Sequence, residues 1–304
     1  MKTVIIFGGS GFVGQHIIRR IAKNGYKIIV PHQQQVNEAK LRLLGETGQI
    51  IPIRFQLINE TTIINQIQKA DIILNLKTLW DEKTTTYEKG ILDFNIRIID
   101  ILKKNFKNNL FIYFSGLGID NNNYSKRSEA IIKCEEYIRH NLVNSVIIRP
   151  GIIIGGGDQF LNKLISLFKI SLFIPLFGNG ESKFQPVFVD DVSLAIDKIV
   201  TEKNFLGNHL FEFVGHEIFT YKEMYNFIAL CFNFKRFFIP LPLSIVKMGV
   251  SILEKTPFSP LNREQLKLFE NDNISSANHK NLLDLDINPQ DLREIIKRIV
   301  KKNT

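Results

Sequence analysis

TVIIFGGSGFVG, residues Thr3 to Gly14, runs an apolar strand straight into a glycine-spaced loop and then a helix. The glycines stand at Gly8, Gly11 and Gly14 with an extra Gly9, a G-x-x-G-x-x-G spacing. In such a unit the first glycine permits the tight turn off the strand. The second lets the backbone approach a pyrophosphate, and the third lets the helix pack closely on the sheet. A helix predicted over Phe12 to Lys23 would present unpaired N–H groups and its positive dipole end to that anion. The segment reads as a dinucleotide site. A glycine-rich turn without a ligand is the competing reading, and the context between a strand and a helix weighs against it.

The remaining chain sets the class. Its 304 residues are 44% hydrophobic and 23% charged, which suits a folded domain of one large α/β unit with a smaller appended region. The net charge of +9 would suit an acidic partner, an anionic membrane surface or a phosphate-bearing ligand. Lysines are scattered, however, and the dense run Lys297-Arg298 with Lys301-Lys302 reads as a solvated helix end, so no nucleic acid is expected. Cys134 and Cys231 lack a partner motif, which points to a reducing compartment. Six histidines form no metal-ligand spacing, and neither a G-x-S-x-G elbow nor a P-loop ending is present. No metal is expected. The longest apolar tract, Leu164 to Phe177, is broken by Lys169 and Pro175 and is too short to span a bilayer. With a strand predicted from Thr3, no targeting leader is expected within this sequence: either the protein stays in the compartment where it is made, or a leader is missing from it.

Apolar strands alternate with amphipathic helical stretches after the first unit, predicting a Rossmann-type doubly wound parallel sheet. Further strands are predicted at Lys27 to Val30, Ile50 to Phe55, Asp71 to Leu76, Leu110 to Ser115 and Ser145 to Arg149. Helices are predicted at Val36 to Leu44, Glu60 to Gln68, Thr84 to Lys104 and Ser125 to His140. The dinucleotide-binding domain is therefore placed at 1–150, and residues 151–304 form a smaller α/β substrate-like or partner region on the sheet's C-terminal edge. Asp190 and Asp191 read as caps of a helix Val192 to Thr201 rather than as a catalytic pair. Asn288-Pro289 opens a last helix, with Pro at its first position. The hydrophobic segment Arg236 to Phe258 reads as buried against the small region, with a partner- or membrane-touching surface as the alternative.

A glycine loop of this spacing at the head of this layout resembles the extended and atypical short-chain dehydrogenase/reductase superfamily. The resemblance implies a Ser at a strand end, a Tyr, and a Lys four residues after it on one helix face, where the ammonium lowers the Tyr pKa. Ser115, in YFSGLG, stands at the expected strand end, and Tyr124 is the candidate acid–base group. The fourth residue on is Ser128. Aligned backwards from Arg149-Pro150 through Glu135, the pair becomes Arg127 and Ile131. Neither alignment gives a Tyr and Lys dyad.

Four stretches narrow the resemblance: IIRPGIIIGGGDQFLN, IPLFGNGESKFQPVFVDDVSLAI, FEFVGHEIFTYKEM and PLNREQLKLFENDNISS. With them the chain resembles the nucleotide-binding accessory subunits of respiratory complex I and their alphaproteobacterial relatives. That implies an NAD(P)(H)-binding, non-catalytic accessory protein of the electron-transfer chain or of quinone metabolism. Its partner would be complex I or another respiratory membrane assembly. It would lie in a bacterial cytoplasm, or peripherally at the inner face of the cytoplasmic membrane. The second reading is an active NAD(P)-dependent epimerase, dehydratase or reductase that uses Tyr124. The resemblance places Gly8, Gly9, Ser10, Gly11, Phe12, Val13 and Gly14 at the pyrophosphate and His32 and Gln33 by the adenosine ribose. Gln56 and Leu57 fall by adenine, Asn75, Leu76 and Lys77 along the cofactor, and Pro150, Gly151 and Ile152 near nicotinamide. After the second strand, Pro31-His32-Gln33 offers neither the acid that selects NAD(H) nor the arginine that selects NADP(H), so both remain open.

Overall fold

The computed structural model describes residues 1–104, 108–120, 125–202, 205–253, 262–276 and 278–303. Six strands come from the first half: β1 (Thr3–Phe7), β2 (Lys27–His32), β3 (Ile50–Arg54), β4 (Ile72–Asn75), β5 (Leu110–Phe114) and β6 (Ser145–Pro150). With strand Asn208–Phe213 they form one sheet, ordered Asn208–Phe213, β6, β5, β4, β1, β2, β3, with every neighbouring pair parallel. The strand order reverses between β1 and β4. The carboxyl ends of the strands at such a reversal are the place where doubly wound sheets take ligands.

Both faces of the sheet are covered, which is why its strands are near-continuous apolar runs. Val4 and Ile6 of β1 point into a core with Ile17 and Ile18 of α1 (Phe12–Ile21) and with Val192 and Ile196 of helix Val189–Thr201. Ile5 and Phe7 point to the opposite core. It is built from α3 (Thr61–Lys69), α4 (Phe94–Lys103) and α5 (Lys126–Asn141), and it includes Ile67, Ile98 and Ile138. A third core joins helices Gln159–Ile170, Tyr221–Phe232 and Leu292–Asn303 through Phe168, Met224 and Ile296.

The chain crosses residue 150 and then returns. Helix Val189–Thr201 lies against α1, with Arg20 Nε donating to Ser193 Oγ at 3.1 Å. Strand Asn208–Phe213 extends the sheet beside β6. Buried Glu212 on that strand accepts from Ser275 Oγ (2.7 Å) and Ser276 N (2.9 Å), tying the C-terminal segment to the sheet. Both spatial regions therefore contain residues from beyond 150, and a cut there would divide the sheet.

Four local expectations change. α2 (Glu38–Arg42) is shorter than expected, because Asn37 caps it by accepting from Lys40 N. The helix expected over Thr84 to Lys104 starts as a π-helical turn, Glu88–Asp93, before α4; Gly90 within that turn is a poor helix former. Asp190 and Asp191 do not cap: the helix begins at Val189, and both carboxylates reach across to other elements. Asp190 Oδ1 lies 2.9 Å from His16 Nδ1, and Asp191 accepts from Gln290 N (2.9 Å) and Nε2 (3.0 Å). That second pair holds residues 288–290 outside the last helix. The helix therefore starts at Leu292, with Asp291 Oδ1 accepting from Arg293 N (2.8 Å) and Glu294 N (3.2 Å).

The described part of Arg236 to Phe258 is not the buried segment expected. Among the described residues, strand Phe237–Leu241 pairs in parallel only with strand Phe173–Phe177, as a two-stranded ribbon whose inner face meets the core. Helix Leu243–Leu253 follows it, and residues 254–258 lie outside the described residues.

Candidate functional site

The glycine loop is shaped by backbone contacts that side chains would block. Gly8 has φ +77°, a left-handed conformation that suits glycine, and Gly11 N donates to Gly8 O at 3.0 Å to close the turn. A Cβ on Gly14 would lie 2.5 Å from Gly9 Cα and 2.6 Å from Gly9 O, so α1 meets the loop backbone to backbone. Gly11 is exposed and stands at the N-cap of α1, where no side chain caps the helix and the first turn carries no acid. These features fit a pyrophosphate: a helix N-terminus with its positive dipole end, neither capped by a side chain nor faced by an acid of its own first turn. Phe12 stacks edge-on to His16 (5.2 Å) and reaches toward Gly155, where a Cβ would lie 3.2 Å from the ring.

Beyond the carboxyl ends of β2, β3 and β4, Gln33 ties three strand ends together. Its Nε2 donates to Gln56 O (2.9 Å), beyond β3, and its Oε1 accepts from Lys77 Nζ (2.8 Å), beyond β4. The Lys77 ammonium also sits 4.1 Å from the centre of the Phe94 ring, and burial lowers its pKa below the ordinary lysine value. His32, by contrast, is buried, with Nδ1 3.0 Å from Gln34 O and Nε2 3.2 Å from Glu38 Oε1. The Glu38 carboxylate is shared with Arg42 Nη2 at 2.8 Å, so the acid nearest the β2 end is already engaged. Leu57 is exposed. Asn75 is buried and spends its side chain on the fold, donating to Asn95 Oδ1 (2.7 Å) and accepting from Lys77 N (3.0 Å). It sets the turn that presents Leu76 and Lys77 beside Gly8, whose Cβ would lie 3.1 Å from Leu76 C.

The positions implied for catalysis are occupied differently. Ser115 Oγ donates to Glu135 Oε1 at 2.5 Å, and Glu135 is bound bidentately by Arg149 through Nε (2.9 Å) and Nη2 (2.7 Å). Arg149 also holds Asp120 at 3.2 Å through Nη2. Burial alone would lower the Arg149 pKa; the bonds to Glu135 and Asp120 outweigh it and raise the net value. Tyr124 lies outside the described residues. Ser128 closes a capping box with Ser125 at the start of α5, and Ile131 is buried in the core. Arg127 clamps the chain after β4, donating to Leu79 O (2.8 Å) and Thr78 Oγ1 (3.0 Å) under the Trp80 ring. Lys133 pairs with exposed Glu129 on the outside of α5. The Ser115 hydroxyl thus meets Glu135 rather than a lysine, while Lys133 is turned outward and Lys126 is exposed at the start of α5. Cys134 is fully buried against Tyr113, and burial pushes its thiol up to about 12, which rules it out as a nucleophile near neutral pH.

Pro150, Gly151 and Ile152 are roofed over. A Cβ on Gly151 would lie 2.0 Å from Gln185 O, and Gly151 N donates to Phe213 O (2.9 Å). Val187 N donates to Ile152 O at 2.9 Å. A cleft between the two regions is lined by Trp80, Arg127, Ser128, Glu264, Lys267 and Asn273, among others. Among the described residues no group of three or more His, Cys, Asp or Glu side chains could hold a metal, and no helix is long and apolar enough to cross a membrane. The Gln33–Lys77–Gln56 tie and the Ser115–Glu135–Arg149 cluster escaped sequence reasoning. Their members are distant in the chain and form no motif.

Residues 4–118 match the family described as NAD dependent epimerase/dehydratase. Over 302 residues the chain is 28% identical to the mitochondrial NADH dehydrogenase [ubiquinone] 1 alpha subcomplex subunit 9 of Dictyostelium discoideum, covering 97% of this chain and 83% of that one. The subunit of the same name from Arabidopsis thaliana is 27% identical over 299 residues, 95% of this chain and 74% of the relative. In fold the chain is similar to dTDP-glucose 4,6-dehydratase of Bacillus anthracis, solved in complex with NAD. The TM-score is 0.73 at 13% identity, covering 99% of this chain and 96% of that one.

Proposed function

We propose that this chain, whose residues 4–118 form an NAD dependent epimerase/dehydratase family domain, holds a nicotinamide dinucleotide without turning it over and serves as an accessory protein of a respiratory NADH–quinone assembly. One observation carries the non-catalytic part. The strand-end hydroxyl of Ser115 is committed to buried Glu135 and Arg149, and neither Ser128 nor Ile131 supplies a cation one helical turn from the place of an acid–base group. General acid–base groups contribute about 10²- to 10⁴-fold in rate, so a site without them binds far better than it reacts. Similarity to two mitochondrial NADH dehydrogenase subunits over nearly the whole chain supports the assembly. Recovery of the tagged chain from gently solubilised membranes should bring down NADH dehydrogenase subunits; recovery with none of them would sink the docking claim. Turnover that disappears in Tyr124→Phe would sink the non-catalytic claim.

When bound, the dinucleotide would supply a hydride-carrying nicotinamide; the residues named above would hold its pyrophosphate on α1 and its adenosine toward Gln33. The charged group that meets Gln33 is the Lys77 ammonium, while Glu38 is taken by His32 and Arg42. This charge pattern favours a 2′-phosphate over a free ribose diol, and so NADP(H) over NAD(H). Lys77→Ala is expected to weaken NADPH about tenfold or more, the equivalent of one charge-assisted hydrogen bond, with NADH little changed. The pH dependence has a definite sign. A phosphate binds the charged lysine, and burial has lowered the Lys77 pKa, so NADPH affinity falls as pH rises through that lowered value. NADH affinity has no such dependence. Calorimetric titration with both nucleotides across pH checks each point.

A further inference from the structure

The cleft between the two regions carries a cation that the described chain does not pair. Its charged lining residues are Arg127, Glu264, Lys267 and Asp272. Their formal charges cancel, but they are not evenly spent. Glu264 and Lys267 pair with each other at 3.7 Å, and Asp272 Oδ1 accepts from Lys183 N at 2.8 Å. Arg127 gives its hydrogen bonds to two neutral oxygens, Nε to Leu79 O and Nη2 to Thr78 Oγ1. Among the described residues no carboxylate bonds to it. Glu264 acts on it only through space, and burial lowers its pKa. A desolvated guanidinium without a bonded counter-ion is costly to hold, and in a cleft such a group marks a ligand site.

The unspent part of Arg127 has a definite shape. Nε and the neighbouring N–H of Nη2 form one edge of the guanidinium, and that edge is used on the chain after β4. The end edge, Nη1 with the second N–H of Nη2, has no partner among the described residues. Two parallel N–H groups on a planar cation match the two oxygens of a carboxylate. Stacking on Trp80, with the ring centre 4.0 Å away, keeps the guanidinium in place. Ser125, Arg127 and Ser128 bring the first turn of α5 to the wall, so the positive end of that helix adds to the attraction. Leu117 and Leu268 supply hydrocarbon beside it. The cleft measures about 90 Å³, room for a ligand of a few carbon atoms. Glu264 and Asp272 on its wall repel a second negative charge, which favours a monoanion over a phosphate.

We propose that this cleft binds a short-chain monocarboxylate, with the carboxylate on the end edge of Arg127 and the hydrocarbon against Leu117 and Leu268. Binding there does not depend on the nucleotide reading. The test is titration of the full chain with propionate, propionamide and inorganic phosphate at constant ionic strength, followed by the fluorescence of Trp80, the one tryptophan of the chain. Propionate should saturate with a dissociation constant on the order of 1 mM. Propionamide, of the same size without the charge, should bind about tenfold or more weakly. Arg127→Gln should lose about tenfold or more in propionate affinity. Lys267→Glu, which leaves the bonds of Arg127 to the chain after β4 in place, should weaken propionate in the same direction, and denaturant unfolding verifies the fold of both variants. No saturation with propionate would overturn the proposal, and so would equal binding of propionamide. Tighter binding of phosphate than of propionate would assign the cleft to phosphoryl groups and overturn the carboxylate. Loss of propionate binding once the chain is saturated with NADPH would make Arg127 part of the nucleotide site and would equally overturn it.

Discussion

Gly14→Ala is expected to destabilise the chain by about 3 kcal/mol or more and to abolish dinucleotide binding with it. The added Cβ would have to fit 2.5 Å from Gly9 Cα, 2.6 Å from Gly9 O and 2.7 Å from Gly8 O. All three are backbone atoms of a loop pinned between β1 and α1, so no side-chain rotamer can relieve the clash. Either α1 lifts off the sheet, breaking its packing through Ile17 and Ile18, or the loop opens and loses its turn. Gly11→Ala separates the two consequences. Its Cβ would meet only Gly8 O, at 3.3 Å, on the exposed side of the helix start. Stability should hardly move, while affinity for the dinucleotide should fall about tenfold, because the methyl occupies the approach of the pyrophosphate. Denaturant unfolding and titration on the two variants check both halves.

Arg149→Met is expected to cost about 3 kcal/mol, because it removes both guanidinium hydrogen bonds from the buried Glu135 carboxylate and leaves it only the more distant Arg139 guanidinium, at 3.6 Å. Glu135 is 0% exposed and Arg149 5%, and two of the guanidinium nitrogens hold the two carboxylate oxygens. The double variant R149M/E135L should recover most of that loss, since removing both charges also removes both desolvation penalties. Destabilisation of the double variant as large as that of Arg149→Met would mean that Arg149 acts mainly through Asp120 rather than Glu135. Ser115 enters here as well. Its hydroxyl contributes to the satisfaction of the Glu135 carboxylate, so Ser115→Ala should disturb this cluster before it disturbs any bound nucleotide.

Local signals carry the sheet and the glycine loop in the sequence. β1 is five residues of Thr, Val, Ile and Phe followed at once by Gly8, and the glycine spacing reports a backbone requirement that acts within one turn. The predicted strands β2 to β6 fall within about two residues of the observed ones for the same reason, as expected for short buried runs bounded by polar residues. What the sequence hides is tertiary. Asp190 and Asp191 look like helix caps because a helix follows, yet their partners are His16 and Gln290, 174 and 99 residues away. Arg149 meets Glu135 at a separation of 14 residues and Asp120 at 29, with no motif to mark either. The segment from Arg236 reads as core because it is apolar, and Phe237 and Ile239 are exposed because the strand they pair with among the described residues is itself at the surface. Lys77 can be placed along the cofactor after Asn75-Leu76, but its tie to Gln33 exists only because β2 and β4 flank β1.

The nucleotide site is tested most directly by calorimetric titration of the purified, cofactor-stripped chain with NADPH and, separately, with NADH. Saturable binding at one site per chain, tighter for NADPH and lost in Gly11→Ala, is the expected result. No heat and no saturation with either nucleotide would contradict it and would leave the Gln33–Lys77 tie as a plug across an abandoned crevice.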